Sequence, residues 1–318
     1  MPQSIIKSLL GITHIKLGEY QEGKIYLYEV VQFDLDTDYS LLAHAWLHNL
    51  QGDAQQAHHA IVTAIEKNAS FSEGLEFQGY LYYNSQDLVK AANSFEVYVK
   101  LHPQDLKIKV MYTLSLANVG KYEQAEKLAD KLLKINSQNT ALNQAKAQAR
   151  FAVQDYVLAK QYAEVAIRGN SQLVVPRIVA GVSAYQLKQL ESAYMHLNTI
   201  NHRLPFEHPV KKLLIALKFQ LGYEQDNYNE LSSVPLEQVD STSLIFSAQN
   251  LLNNGELDKA EFLLIKAARK DPDNANIFLQ QGYLNNLKNN NSAANDLFNQ
   301  ALEKDPSLNA AETLLVMN

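Results

Sequence analysis

The feature that most constrains this chain is a regular recurrence of small residues. Seven alanines form one ladder, with steps of 34 residues within each of two groups: Ala57, Ala91, Ala125, Ala159 and Ala193, then Ala260 and Ala294. A second ladder with the same step lies five positions ahead of the first: Gly18, Gly52 and Gly120, with Gln86, Gln154 and Lys188 on its other rungs. A fixed period of this length is typical of a chain built from stacked copies of one small structural unit.

The residues between these landmarks follow a helical spacing. In the segment that contains Ala91, Ser94, Phe95 and Tyr98, the residues expected to be buried fall on one face of an α-helix. Each period has room for two helices of roughly 13 residues joined by a short turn such as LGEY or VGKY. Because one helical hairpin cannot bury both of its apolar stripes, the sequence predicts an all-α solenoid of stacked hairpins, without strands.

Composition narrows the functional classes. The 318 residues are 47% hydrophobic and carry a net charge of −6, so a packed core is expected and a basic face for nucleic acid is not. The absence of cysteine excludes disulfides and thiolate chemistry. No apolar run approaches the roughly 20 residues that span a bilayer, and the first residues lack a signal-peptide pattern. No phosphate-binding glycine loop or GxSxG motif occurs, so we expect a non-enzymatic protein without a cofactor.

The repeat resembles the tetratricopeptide repeat (TPR). That family places a small residue and an aromatic in the first helix (helix A), alanine and an aromatic in the second (helix B), and a closing proline. Residues 72–105 fit this pattern with Gly79, Tyr82, Ala91, Phe95 and Pro103. Nine repeats then start near residues 4, 38, 72, 106, 140, 174, 208, 241 and 275, followed by a terminal helix at 309–318. The resemblance implies a right-handed superhelix in which helix A of each repeat lines a concave groove.

The seventh repeat departs from the family pattern. Asn227 replaces the usual alanine, and SSVPLEQVD at 232–240 replaces the end of helix B, which the serines and proline should stop early. The expected division is therefore repeats 1 to 7A at 1–222, an irregular segment at 223–240, and repeats 8 and 9 with the terminal helix at 241–318. The irregular segment is either a hinge or a rigid, slightly distorted repeat.

The resemblance also implies which residues face the groove, because repeat positions 2, 5, 9 and 12 point into it. Carried along the chain, this template gives the candidate partner-binding residues: Tyr39, Leu42, Trp46, Asn49, Glu76, Tyr80, Tyr83, Lys107, Val110, Gln148, Phe151, Tyr185 and Phe219. Aromatic side chains supply contact area at low entropic cost, so the set predicts binding of a protein or peptide. Packing of several of these aromatics against a neighbouring helix A stays open as the alternative interpretation.

Two other ligand classes fit parts of the sequence. The aromatics Trp46, Tyr80 and Tyr83 could serve as stacking platforms for a carbohydrate. His44 and His48, one helical turn apart, could contribute to a metal site, but the Glu of an HExxH motif is missing. The clamp of lysine, asparagine and arginine side chains by which some members of the family hold a peptide's terminal carboxylate is not formed at matching positions, so a receptor for chaperone tails is not predicted. A protein- or peptide-binding groove without a metal is the favoured interpretation.

A narrower resemblance concerns segments such as GVSAYQLKQLESAYMHLNTI, which are similar to repeats of bacterial TPR lipoproteins associated with exosortase (PEP-CTERM) sorting and exopolysaccharide export. It implies a periplasmic location if the chain is a fragment of such a lipoprotein, and a cytoplasmic one otherwise. Apolar residues in the first and last helices, including Ile5, Ile6, Leu314 and Leu315, predict that the natural protein continues beyond one or both ends or self-associates through its terminal repeats.

Overall fold

The computed structural model describes residues 3–33, 36–205 and 208–317, and all regular secondary structure in these ranges is helical. Two short 3-10 turns, Asn201–Arg203 and Leu236–Gln238, interrupt the succession of α-helices. The helices are α1 (Gln3–Lys16), α2 (Tyr20–Val31), α3 (Asp38–Leu50), α4 (Ala54–Lys67), α5 (Ser72–Asn84), α6 (Leu88–Leu101), α7 (Leu106–Asn118), α8 (Tyr122–Leu133), α9 (Thr140–Ala152), α10 (Tyr156–Gly169), α11 (Val174–Gln186), α12 (Leu190–Thr199), α13 (Pro209–Gln220), α14 (Glu224–Ser233), α15 (Ser241–Asn253), α16 (Leu257–Lys270), α17 (Ala275–Leu287), α18 (Asn291–Lys304) and α19 (Asn309–Met317). The all-α solenoid predicted from the sequence is confirmed.

The helices pair as the repeat period requires. Odd-numbered helices from α1 to α17 are the A helices of successive hairpins, and each begins within one residue of a start predicted from the 34-residue step. The even-numbered helices that follow them are the B helices. The lone helix α19 occupies the place of the predicted terminal helix, whose last residue, Asn318, lies outside the described residues.

The chain forms two compact units, residues 1–176 and 177–318. The first contains α1 to α10, and the second begins within α11. The irregular segment at 223–240 lies inside the second unit, where α14 ends at Ser233 just before Pro235. That early end agrees with the effect of proline on the preceding residues. The role of the segment as a hinge stays a prediction.

The alanine ladder marks where helices A and B of a hairpin approach closely. Its seven members have no solvent exposure: Ala57, Ala91, Ala125, Ala159, Ala193, Ala260 and Ala294. A methyl side chain lets two helix backbones come near each other while still filling the space between them. The period of the sequence is therefore the period of the core.

The second ladder marks the turn from helix A to helix B. Its six residues have a positive φ between 61° and 87°, as do the equivalent turn residues of the later hairpins: Gly18, Gly52, Gln86, Gly120, Gln154 and Lys188, then Gly222, Gly255 and Asn289. A residue in this left-handed region ends a helix and redirects the chain, and glycine adopts it at the lowest cost. In three turns the next residue is an aspartate whose carboxylate caps helix B: Asp53, Asp87 and Asp155.

The seventh hairpin adds polar contacts to its apolar packing. Asn227, at the usual alanine position, is buried and donates from Nδ2 to Ser247 Oγ at 3.4 Å. Glu230 accepts from Lys218 Nζ at 2.7 Å and from Asn201 Nδ2 at 3.0 Å. Lys266 Nζ, from α16, donates to the carbonyls of Leu231 and Ser232 at 2.8 and 3.2 Å, so the last turn of α14 has charged donors for its free carbonyl groups.

Candidate functional site

The A helices of the first three repeats line a recess of about 110 Å³ in the first unit. Consecutive hairpins stack in register, so α1, α3 and α5 present equivalent faces side by side. The recess is lined by Leu9, Ile12, Thr13 and Lys16 of α1, Leu42 and Trp46 of α3, and Glu73, Glu76, Phe77 and Tyr80 of α5. It combines an apolar floor with charged groups at its edge.

The aromatic residues of the recess also pack within the repeat stack. Trp46, the only tryptophan of the chain, stacks on Phe77 with ring centroids 4.3 Å apart and an interplanar angle of 29°. Tyr80 meets Phe95 edge-on at 5.7 Å. Phe77 and Phe95 are buried, whereas Trp46 and Tyr80 are half-buried. Trp46 and Tyr80 thus have one part in the core and another at the recess, and the two interpretations of the sequence apply to the same side chains.

The charged groups of the recess connect non-adjacent repeats. Lys16 Nζ donates to both carboxylate oxygens of Glu76, at 2.9 and 3.1 Å, although the two residues are 60 positions apart in the sequence. Tyr39 donates from its hydroxyl to Glu73 Oε1 at 3.0 Å. Glu73 and Glu76 lie one helical turn apart on α5, so both carboxylates belong to the same face.

The tyrosines near these carboxylates are held neutral. Burial raises the pKa of Tyr80 to about 12, and the Glu76 and Asp105 carboxylates add to this effect. Burial and the neighbouring Glu73 likewise raise the pKa of Tyr39 to about 12. The Tyr80 hydroxyl oxygen is inaccessible to solvent and has no hydrogen-bond partner among the described residues. It is a free donor at the edge of an apolar recess.

The remaining candidates lie elsewhere. Asn49 and Tyr83 do not line the recess; Tyr83 is half-buried against the hydrophobic clusters of α5 to α9. Lys107 and Val110 line a second depression with Leu106, Leu132, Ile135 and Leu142. Gln148 donates to Asn118 Oδ1 at 3.2 Å, and Phe151 meets Tyr156 edge-on at 5.8 Å.

Two candidates belong to the second unit, where Tyr185 lies under Lys188 Nζ at 5.8 Å and Phe219 meets Phe246 edge-on at 6.3 Å. The structure therefore brings four of the predicted residues into one recess: Leu42, Trp46, Glu76 and Tyr80. Leu42 has no solvent exposure, so it forms the floor.

Sequence reasoning missed several residues of the recess. Leu9, Thr13, Lys16 and Phe77 were absent from the predicted set. They occupy repeat positions 6, 10 and 13, which adjoin the groove positions on the same helical face. A wider stripe on helix A, applied from the first repeat onward, would have included them.

The histidines considered for a metal site lie against aromatic rings or against each other. His44 and His48 stack on each other with ring centroids 6.4 Å apart, and His58 lies 4.7 Å from the ring of Tyr82. Burial and the neighbouring Lys90 lower the pKa of His58. Within the described ranges there is no group of three or more histidine, aspartate or glutamate side chains placed to hold a metal ion. The same ranges contain no helix with the length and apolar character needed to cross a membrane.

Stacked helical hairpins of this size, with A helices lining a recess, define an α-solenoid repeat protein. A family model described as the tetratricopeptide repeat matches residues 42–105 and 247–309. These matches, which cover about two fifths of the chain, show tetratricopeptide repeats in both segments, and the nine hairpins in phase within the described ranges have the same helix–turn–helix architecture. The fold indicates a scaffold for protein–protein interaction.

Two relatives match parts of this chain, which in turn spans a small part of their length. The chain is 32% identical over 72 residues to the tetratricopeptide repeat protein 30 homolog of Aedes aegypti, which covers 23% of this chain and 11% of that protein. It is 28% identical over 114 residues to intraflagellar transport protein 70A of Danio rerio, covering 36% and 17%. The solved structure of Pseudomonas aeruginosa pilF shares 16% identity at a TM-score of 0.51, covering 66% of this chain and 96% of pilF, which shows the fold.

Proposed function

We propose that this protein is a non-enzymatic scaffold that binds a segment of a partner protein in the recess of α1, α3 and α5. The observation that carries the proposal is the placement of Trp46 and Tyr80, both half-buried, beside two carboxylates in a recess lined by three consecutive A helices. Binding surfaces are typically concave and combine aromatic anchors with a few convergent polar groups.

The unpartnered Tyr80 hydroxyl supports this assignment. A buried polar group without a hydrogen-bond partner is uncommon in native structures and costs stability. A bound peptide has one carbonyl acceptor per residue, so an extended segment that displaces the side chains covering this hydroxyl can supply the missing partner. The apolar floor formed by Ile12, Leu42 and Phe77 receives one bulky side chain of the same segment.

A peptide selection tests the proposal. A random decapeptide display library is selected on the immobilised protein, and the affinity of the enriched peptides is measured by fluorescence polarisation. We expect Trp46→Ala to weaken binding at least tenfold, the scale of an interface anchor. Tyr80→Phe, which keeps the ring and removes only the hydroxyl, should weaken binding by a smaller factor.

Tyr112→Ala is the matched control. Tyr112 is also half-buried in the first unit, but it packs against the cluster around Ala91 and Phe95 and does not line the recess. Enriched peptides that bind the Trp46→Ala protein as tightly as the unaltered one would contradict the proposed site.

The cellular role stays a prediction. Participation in bacterial protein sorting or exopolysaccharide export rests on the sequence resemblance alone. Self-association through the terminal repeats rests on the apolar residues of the first and last helices. The exposed apolar residues of the first hairpin, such as Leu17 and Ile25, are the surface on which self-association would be tested by light scattering.

A further inference from the structure

We propose that the partner segment recognised by this recess carries a lysine or arginine next to a bulky apolar residue, and that the Lys16 ammonium occupies the site of that cation in the free protein. The inference rests on the proposed function and adds the chemistry of the partner to it.

The carboxylates of α5 provide the cation site. Glu73 and Glu76 lie one turn apart on the face of α5 that lines the recess, beside the rings of Phe77 and Tyr80. Glu73 accepts a hydrogen bond from Tyr39 and forms no ion pair with any residue that the structure describes. Glu76 is paired with Lys16 alone among the described cations. Lys16 is therefore the one described cation paired with these two carboxylates, and it contacts only Glu76.

The charges around the recess favour a cationic partner. Its lining contributes Lys16 against Glu73 and Glu76, which leaves one negative charge. Close by, the Asp105 carboxylate accepts from the Tyr98 hydroxyl at 2.9 Å, and Lys107 Nζ lies 5.6 Å from the centre of the Tyr80 ring. An acidic segment would meet like charge there, whereas a lysine or arginine can pair with these carboxylates in place of the Lys16 ammonium.

The Lys16–Glu76 pair is replaceable. It links α1 to α5 past the intervening α3, and the Lys16 side chain is 42% exposed. The Glu76 side chain is only 16% exposed, but an incoming ammonium would restore its charged partner, so exchange of one ammonium for another is close to neutral. The apolar neighbour of the incoming cation can then pack against Trp46 and Phe77. Lys16 does not make this additional apolar contact.

The random decapeptide library described above tests the inference on the full chain. We expect lysine and arginine next to a bulky apolar residue to be enriched about fivefold over the unselected library, the upper range for a solvent-accessible ion pair. Selection on the Glu73→Gln, Glu76→Gln double variant should return their frequency to that of the library while apolar residues stay enriched. Enriched apolar peptides without basic residues would overturn the inference and leave the proposed function standing, whereas no enrichment at all would overturn both.

Two further variants separate recognition from bulk charge. The Glu66→Gln, Glu96→Gln protein changes the net charge by the same amount on the B helices α4 and α6, outside the recess, and should keep the basic preference. Lys16→Met, which removes the internal competitor, should tighten binding of a lysine-containing peptide several-fold and leave its norleucine analogue unchanged. A loss of basic preference in the Glu66→Gln, Glu96→Gln control, or weaker binding of the lysine peptide to Lys16→Met, would contradict the assignment.

Discussion

The ring of Phe95 lies so close to Gly79 that a Cβ atom on residue 79 would come within 2.3 Å of the ring atom Cε1. The same relationship joins Gly282 and Phe298, where the distance would be 2.5 Å. Both phenylalanines have no solvent exposure. In these two hairpins the absence of a side chain on helix A allows an aromatic ring of helix B to reach the helix backbone.

Gly79→Ala should therefore lower the free energy of unfolding, by about 1–3 kcal/mol. The sign of this change in the free energy of unfolding is informative, because a glycine-to-alanine change in an unobstructed helix is stabilising by up to about 1 kcal/mol. Urea denaturation measures the effect. The double variant Gly79→Ala with Phe95→Leu should show a smaller loss than the sum of the single changes; strict additivity would mean that the two residues do not clash.

The left-handed turn residues give a second prediction. Gln154 has φ of 62° and Gly52 has φ of 83°, at equivalent places in their hairpins. Gln154→Gly should raise stability by up to about 1 kcal/mol, because glycine adopts this region without steric cost. Gly52→Ala should lower it by about 1 kcal/mol, although a Cβ there has open space around it. A lower thermal unfolding midpoint for Gln154→Gly, or a higher one for Gly52→Ala, would contradict the shared geometry.

The repeat starts and both ladders could be predicted from the sequence because they depend on local geometry that each hairpin reproduces. A turn such as the one at Gly52 needs a left-handed residue, and a close helix contact such as the one at Ala91 needs a small one. The Lys16–Glu76 pair could not be found in this way. It joins repeats one and three, and its formation depends on how successive hairpins stack, which leaves no trace in the pattern of any single repeat. The polar substitution of the seventh hairpin was visible at Asn227, but the lysines that satisfy Glu230 were not.

The Glu230 cluster predicts a pH dependence of stability. Burial alone would raise the pKa of Glu230, but the hydrogen bond and charge of Lys218, helped by Asn201 and Lys211, outweigh it, so the folded-state pKa is lowered from the usual 4.5. A lowered pKa gives stability that is present above the unfolded value and lost as pH falls through the folded value. The thermal unfolding midpoint of the second unit should therefore decrease as the pH is lowered below about 4.5.

Glu230→Gln should remove this part of the acid sensitivity. At pH 7 it should also lower the free energy of unfolding by about 1–3 kcal/mol, because the Lys218 ammonium, nearly inaccessible to solvent, loses its charged partner. Glu237→Gln, on the exposed 3-10 turn nearby, is the control. Equal pH profiles for the Glu230→Gln and unaltered proteins would show that the cluster does not contribute.

Trp46 and Tyr83 form a matched pair for separating binding from folding. Both are half-buried aromatics on A helices of the first unit, but only Trp46 lines the recess. Each truncation to alanine should cost stability, by less than the roughly 3–5 kcal/mol of a fully buried aromatic. Only Trp46→Ala should reduce the affinity for the selected peptide by tenfold or more. A similar loss of affinity in both variants would point to a general effect of destabilisation.

The fluorescence of Trp46 tests the central claim most directly, because this residue is the only tryptophan and lies in the recess. The unaltered protein is titrated with a selected decapeptide that lacks tryptophan, and the emission maximum and acrylamide quenching are recorded. If the recess is the binding site, the emission shifts to shorter wavelength and quenching falls. Both changes should follow a binding curve with the dissociation constant obtained by fluorescence polarisation. Tight binding by polarisation with no change in the emission or quenching of Trp46 would contradict the account.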